Sequence, residues 1–347
     1  MNKKLLATSA LISSLAFSSV SLAQTTITGS LDLTLRNTSH SVSGGALSET
    51  SMGRETQINI ANKGKLNNGM DYAAGFSLEF DGKQAGSTAD SSISNEGVYI
   101  NLISGGTTAH VGVDWIQNSR QDLINSVGDI IDEVGAGTVS GIKLNYTGNS
   151  TPKESIGFGL VQDLGNGIRA SGFYAPNDTN TGTGNNGTAT VNDTGTNSSY
   201  EVGIRGVNVA NSGVSFDLWR NEFEKSLPAT ARNVQGTAMA INYNTGPFGL
   251  GIANIKTETA TANEDQKSRL YTASYSVDKN LTASLVYVKT DDTATASTAD
   301  EKIKSLMLGY NFGPVGLLVT ASKIENIGAR SANGDVDALG ISLNTKF

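Results

Sequence analysis

From Thr25 onward, apolar and polar residues alternate with a period of two in one segment after another. In Thr25–Arg36, Ile27, Gly29, Leu31, Leu33 and Leu35 fall on one face, and Thr28, Ser30, Asp32, Thr34 and Arg36 on the other. Asp71–Phe80 repeats the pattern, with Tyr72, Ala74, Phe76, Leu78 and Phe80 set against Asp71, Ser77 and Glu79. In Thr107–Trp115, Ala109, Val111, Val113 and Trp115 oppose His110, Gly112 and Asp114. In the last segment, Leu339, Ile341, Leu343 and Phe347 oppose Gly340, Ser342, Asn344 and Lys346. A two-residue period puts successive side chains on opposite faces of a strand. The segments run to about 9–12 residues, longer than the five or six common in water-soluble sheets. They match the ~9–11 residues that a strand tilted by about 45° needs to cross a bilayer.

The connections alternate as well. Short ones carry turn residues: Asn67-Asn68-Gly69, Gly105-Gly106, Gly165-Asn166-Gly167, Asn211-Ser212-Gly213, Gly246-Pro247, Asp278-Lys279-Asn280 and Gly313-Pro314. Asn and Gly there supply the positive φ that tight turns need. Between them lie long polar segments such as Asn37 to Gly53, Asp81 to Asn95, Gln117 to Gly137 and Pro176 to Ser199. Short turns on one rim and long loops on the other describe a transmembrane β-barrel. The fold expected is therefore all-β, an antiparallel transmembrane barrel of about 16 strands. Val139 to Thr147 and Ile156 to Asp163 both read as strands before a single turn, which keeps 18 strands as an alternative count. Closure follows from physics, because a sheet edge facing lipid leaves its amides without partners. A barrel this wide is not filled by side chains and encloses water, so its polar face looks inward and its apolar face meets lipid.

The first residues follow another rule. Lys3 and Lys4 precede an apolar run from Leu5 to Val20, then the small residues Ser21-Leu22-Ala23. This is the layout of a secretory signal peptide, residues 1–23, removed to leave a single barrel domain over 24–347. No later stretch reaches 18 consecutive apolar residues, so helical spans are excluded. The whole chain carries a net charge of −7, and loses two more lysines with the signal peptide. Nucleic acid and anionic lipid, which both demand a basic surface, are not partners that this charge predicts. With no cysteine, the chain has neither disulfides nor a cysteine-based metal site.

Glu55-Thr-Gln-Ile-Asn-Ile-Ala-Asn62 and Leu66-Asn-Asn-Gly-Met-Asp-Tyr-Ala-Ala-Gly-Phe-Ser-Leu-Glu79 resemble the second and third strands of the Gram-negative general porins, in particular the alphaproteobacterial type. Ile93 to Leu102 and Gly105 to Asp114 resemble their fourth and fifth strands. The chain ends in Phe347, as such barrels do. The resemblance is clearest over Thr25–Asp114 and at the C-terminus; the middle matches in rhythm only. It implies a 16-stranded outer-membrane porin, a homotrimer among lipid and lipopolysaccharide, and a third loop folded into the lumen. It also implies recognition of Phe347 by the outer-membrane assembly machinery.

That third loop begins near Gln117, and its sequence is the least loop-like in the chain. Leu123, Ile124, Val127, Ile130, Ile131 and Val134 recur at helical spacing. Asp122, Asp129, Asp132 and Glu133 lie among them. The loop lacks a Pro-Glu-Phe-type tip. These four carboxylates are the expected acidic side of a pore constriction. Arg36, Lys143 and Arg205, inward by parity, are the expected basic wall. Opposed charges across a narrow, poorly screened gap set up a transverse field. The acidic excess predicts a mild cation preference. The same carboxylates are the chain's candidate for calcium, since hard cations take oxygen ligands; no other cofactor is implied.

Enzyme chemistry finds no support. Gly182-Thr-Gly184-Asn-Asn-Gly187 has dinucleotide-fingerprint spacing but no strand–helix context. His40 and His110 are too far apart for a zinc set, and no serine can be placed beside either as a nucleophile. Trp115, Trp219 and Tyr310 are candidates for an interfacial aromatic girdle. Passive diffusion of small hydrophilic solutes is the function expected. The rivals are a substrate-specific channel, and a structural or adhesive barrel acting through a loop such as Asn177 to Ser199.

Overall fold

A computed structural model of the chain describes residues 23–42, 45–83, 94–113, 156–176, 196–225, 233–258, 265–292, 299–326 and 334–347. The wall is built, in chain order, from β1 (Gln24–Val42), β2 (Gly45–Lys65), β3 (Asp71–Lys83), β4 (Ser94–Ser104), β5 (Thr107–Val113), β6 (Ile156–Gly165), β7 (Ile168–Ala175) and β8 (Thr196–Gly206). It continues through β9 (Val214–Lys225), β10 (Val234–Thr245), β11 (Phe248–Glu258), β12 (Asp265–Ser276), β13 (Leu281–Asp292), β14 (Glu301–Asn311), β15 (Val315–Glu325) and β16 (Asp335–Lys346). Every strand pairs antiparallel with its sequence neighbours, and β1 pairs with β16. The sheet closes on itself and leaves no edge among the described strands, as a lipid surrounding requires.

Among the described residues the strand count is sixteen. β5 pairs directly with β6, from Thr107 opposite Gln162 to Val113 opposite Ile156. The wall therefore closes without residues 139–147, which lie outside the described residues.

Alternation sorts the side chains as the period demands. On β13, Leu285 is 59% exposed toward lipid while its neighbour Ser284 is 1% exposed toward the interior. Leu33, Ile100, Phe158, Leu218, Leu250 and Leu306 share the lipid face of their strands. The short turns sit at one rim. Gly165, Asn166 and Gly167 all take positive φ there, between 53° and 81°, which is why that turn is written in Gly and Asn. Between β8 and β9 a short 3₁₀ turn, Val209–Asn211, is steadied by the Asn208 side chain, which accepts from Gly213 N–H at 2.9 Å.

Two expectations are corrected. Asn37 to Gly53 reads as a loop, but β1 and β2 stay paired from Asn37 opposite Thr50 to Val42 opposite Gly45. The Asn37 side chain donates to Thr50 Oγ1 at 2.7 Å. Above the membrane both faces of a hairpin meet water, so a polar sequence rich in Ser and Thr pairs without showing apolar alternation.

The second concerns the interior. The inward face is not uniformly polar. On β10–β16, Ile255, Leu270, Val286, Val288, Ile303, Met307, Ile324 and Val336 point inward and are buried as one apolar cluster. Leu285-Val286-Tyr287-Val288 shows how this is encoded: both faces of that stretch are apolar.

The last residue completes the closure. Phe347 donates to Gly29 O at 3.0 Å and accepts from Gly29 N–H at 2.8 Å, one rung beyond Ser30 opposite Lys346. Its ring lies over Gly29, where an added Cβ would collide with Phe347 Cζ and come within 2.8 Å of the Gln57 carbonyl oxygen.

Candidate functional site

The candidate site is the inner wall. Its β1–β9 side differs from the apolar sector of β10–β16. On β2 and β3 a line of amides and carboxylates faces inward. Ser77 Oγ donates to Asn59 Oδ1 at 2.6 Å, Asn59 Nδ2 to Gln57 Oε1 at 3.2 Å, and Gln57 Nε2 to Glu79 Oε2 at 3.4 Å. Asp32 and Glu55 face inward beside this line, opposite one another in register. Arg36 is buried on β1 between Thr34 and Thr38.

Farther round the wall, three inward charges share one row. Arg169 stands opposite Arg205, and Arg205 opposite Asp217. The next inward rows hold Trp219, then Glu201 opposite Asn221. Two of these carboxylates are deeply buried, Asp217 and Glu201, each 2% exposed.

The structure places some of the expected site residues and separates others. Arg36 and Arg205 both face inward, as parity predicts. They are not at one height: Arg36 is opposite Gly340, near the middle of β16, whereas Arg205 lies one residue from the turn-side end of β8. Asp122, Asp129, Asp132, Glu133 and Lys143 lie outside the described residues. Among the described residues no group of three or more His, Cys, Asp or Glu is placed to hold a metal.

His110 does face inward, as expected. It is fixed by Asn101, whose Oδ1 is 2.7 Å from Nδ1, between the rings of Tyr99 and Phe173 at 6.4 and 6.0 Å. Trp219 is not in a lipid-facing girdle; it is 5% exposed on the inner wall. The signal was there to read. Phe216 and Leu218 set the lipid face of β9, which turns Ser215, Asp217, Trp219 and Asn221 inward by parity. Tyr310 does lie on the outer face, with Phe312 4.6 Å away, and Phe248 and Tyr275 pair likewise at 5.0 Å near the short-turn rim.

Glu201 and Asp217 join the inner wall without having been singled out by sequence. Each sits in a strand whose apolar positions fix its direction, so alternation alone would have placed them.

A closed antiparallel barrel with lipid-facing leucines and an inward charged wall is the geometry of a membrane channel. Family comparison agrees: the profile described as "Gram-negative porin" matches residues 7–343. The chain belongs to the Gram-negative porin family. No curated protein sequence matches it. Among solved structures, an anion-selective porin from Comamonas acidovorans superposes with a TM-score of 0.69 at 14% identity, covering 94% of this chain and all of that one. Salmonella typhi OmpF, in complex with daunomycin, gives 0.69 at 12% identity, covering 93% of this chain and 97% of that one. A mutant of the Rh. blastica porin gives 0.59 at 14% identity, covering 93% of this chain and all of that one. At such identities these likenesses show the fold. Together with the family, the barrel is a porin channel of the Gram-negative outer membrane.

Proposed function

We propose that this porin is a passive diffusion channel for small hydrophilic solutes, with a mild preference for cations. The observation that carries the reading is the division of the inner wall. The β10–β16 side carries the apolar cluster around Leu270 and Ile324, whereas charges and amides at Asp32, Glu55, Gln57, Asn59 and Glu79 line the β1–β9 side. Polar solutes crossing there exchange ordered water for Gln57, Asn59 and the neighbouring charges. Carboxylates at Asp32, Glu55, Glu79, Glu201 and Asp217 favour cations, while Arg36, Arg169 and Arg205 temper them.

In this reading the segment from Gln117 to Val134 is the constriction loop. Its apolar stripe supports the assignment, since a stripe of that kind suits the buried inner sector around Leu270 and Ile324. Asp122, Asp129, Asp132 and Glu133 then face the passage, and Lys143 adds to the basic wall. A homotrimer, with Phe347 as the assembly signal, completes the proposal.

The anion-selective relative from Comamonas acidovorans makes charge selectivity the point to test. Ion conductance of the refolded protein in a planar bilayer, with the reversal potential under a salt gradient, does so. Large stable steps with a cation-favouring potential are expected. An anion-favouring potential would overturn the charge assignment, and closed barrels without steps would overturn diffusion.

A further inference from the structure

The inner wall of β4–β9 carries a row whose chemistry goes beyond charge. Across the register it runs Asn101, His110, Gly159, Phe173, Glu201 and Asn221, each opposite the next and on the lumen face. Tyr99 and Trp219 flank its two ends. Each lies two residues along its own strand, from Asn101 on β4 and from Asn221 on β9, and so on the same face. Four aromatic rings thus gather on one side of the lumen, interleaved with planar polar groups. Glycines make room for two of them. An added Cβ on Gly157 would collide with Phe173 Cζ, and one on Gly112 would come within 2.8 Å of His110 Nε2. The rings of Phe173 and His110 therefore lie over bare backbone.

Two polar side chains of the row lack a partner for atoms that need one. Asn221 has no exposed surface, and neither its Nδ2 nor its Oδ1 bonds to a described residue. Toward the other end, His110 Nδ1 donates to Asn101 Oδ1 at 2.7 Å, because an amide oxygen can only accept. This leaves His110 Nε2 to accept from a further group, and it too has no partner among the described residues. A buried polar atom left unpaired is costly, so each of these positions calls for a hydrogen-bonding molecule against it. Glu201 lies directly across from Asn221 and adds the acceptors of a carboxylate. The row holds neither lysine nor arginine, so an anion finds no countercharge in it.

We propose that this row is a saccharide-binding strip, on which a neutral oligosaccharide rests as it crosses the lumen. The aromatic rings take the apolar faces of the sugar rings. Asn221 and Glu201 exchange hydrogen bonds with neighbouring hydroxyls, and His110 Nε2 accepts from one more. The donor and acceptor set selects the occupant. A carboxamide both donates and accepts and a carboxylate accepts twice, which matches adjacent hydroxyl groups. An apolar solute would leave Asn221 and Glu201 unpaired. From His110 on β5 to Asn221 on β9 is four strand spacings, about 19 Å, so the strip suits a short chain of sugars better than a single one. The inference rests on the reading of the lumen as a diffusion path and names a solute class for it.

The test uses the full chain refolded in detergent micelles, carrying Trp115→Phe so that Trp219 is the one tryptophan left. Its emission is titrated with maltotriose and with cellotriose. A saturable shift with at least one of the two is expected. In the same background Asn221→Ala should raise the half-saturating concentration at least tenfold. This change removes a buried amide that no described residue pairs, so the fold should survive it. Phe173→Leu should act likewise and guards against misfolding of the first variant. Arg220→Gln, on the outer face of β9, should change nothing. No saturable shift with either trisaccharide would overturn the proposal, as would titrations of both row variants that match the parent. A shift of equal size with free lysine would overturn it too, and would make the row a cation station. Emission in micelles is read without any current, so a barrel that binds trisaccharide yet does not conduct would fail the channel reading and keep the strip.

Discussion

Phe347 and Gly29 exchange a pair of backbone hydrogen bonds, at 2.8 and 3.0 Å, and the phenylalanine ring occupies the space that a side chain on Gly29 would need. The rung adds to the seam between β1 and β16, the pairing that turns a sheet into a barrel. Gly29→Val should therefore displace the ring and loosen the seam. Forcing extra methyl groups into a filled site costs about 1–3 kcal/mol. The temperature at which the folded barrel converts to the slowly migrating, unfolded form on a semi-native gel should fall. Phe347→Ala, which empties the same space, should lower it less than Gly29→Val, because the backbone rung survives.

Selectivity should answer to the inner-wall carboxylates. Asp217→Asn and Glu201→Gln should each move the reversal potential toward anions. Arg36→Gln should move it toward cations. Neutralising Asp122, Asp129, Asp132 and Glu133 together should produce the largest shift, if the constriction is where the narrow gap strengthens each charge. Reversal potentials that ignore Glu201 and Asp217 would remove those residues from the passage.

Two leucines on neighbouring strands separate the two faces of the wall. Leu270, fully buried on the inner face of β12, should cost about 2–5 kcal/mol when cut to alanine, because a cavity remains. Leu285, exposed on the outer face of β13, should cost clearly less, since lipid refills the gap. Urea unfolding midpoints in lipid vesicles compare the two directly. A reversal of the order would contradict the inward direction of the apolar cluster.

At the β6–β7 turn, Asn166 holds φ at 53°, flanked by two glycines of positive φ. Asn166→Ala should destabilise by about 1 kcal/mol, and Asn166→Gly should be tolerated. Thermal denaturation of the two variants checks the pair.

Much of the fold is legible in the sequence because a membrane wall imposes a strict code. Leu33, Leu285 and Leu306 announce the lipid face, and parity then assigns Arg36, Arg205 and His110 to the interior. Gly165-Asn166-Gly167 announces its turn through the positive φ that it needs. What parity cannot supply is height and register. Arg36 and Arg205 look alike in sequence, yet they stand at different levels because the stagger between strands is a property of pairing. The hairpin of β1 and β2 outruns its apolar pattern, since above the membrane Asn37 and Thr50 pair without help from lipid. The inward valines of β13 are hidden for the opposite reason: a stretch apolar on both faces has no alternation to read. Trp219 differs again: its residue type suggests the membrane interface, whereas its place between Leu218 and Arg220 on β9 turns it inward.

The buried sector around Leu270 and Ile324 separates two properties that a barrel is easily assumed to share. Perimeter is set by the number of strands and by the hairpins that join them. The width of the water path is set by which inward side chains stay wet. Substitutions at Val286, Val288 or Met307 can therefore widen or narrow the stream without disturbing the ring, and a porin can be retuned for larger or smaller traffic while its lipid face and seam stay as they are.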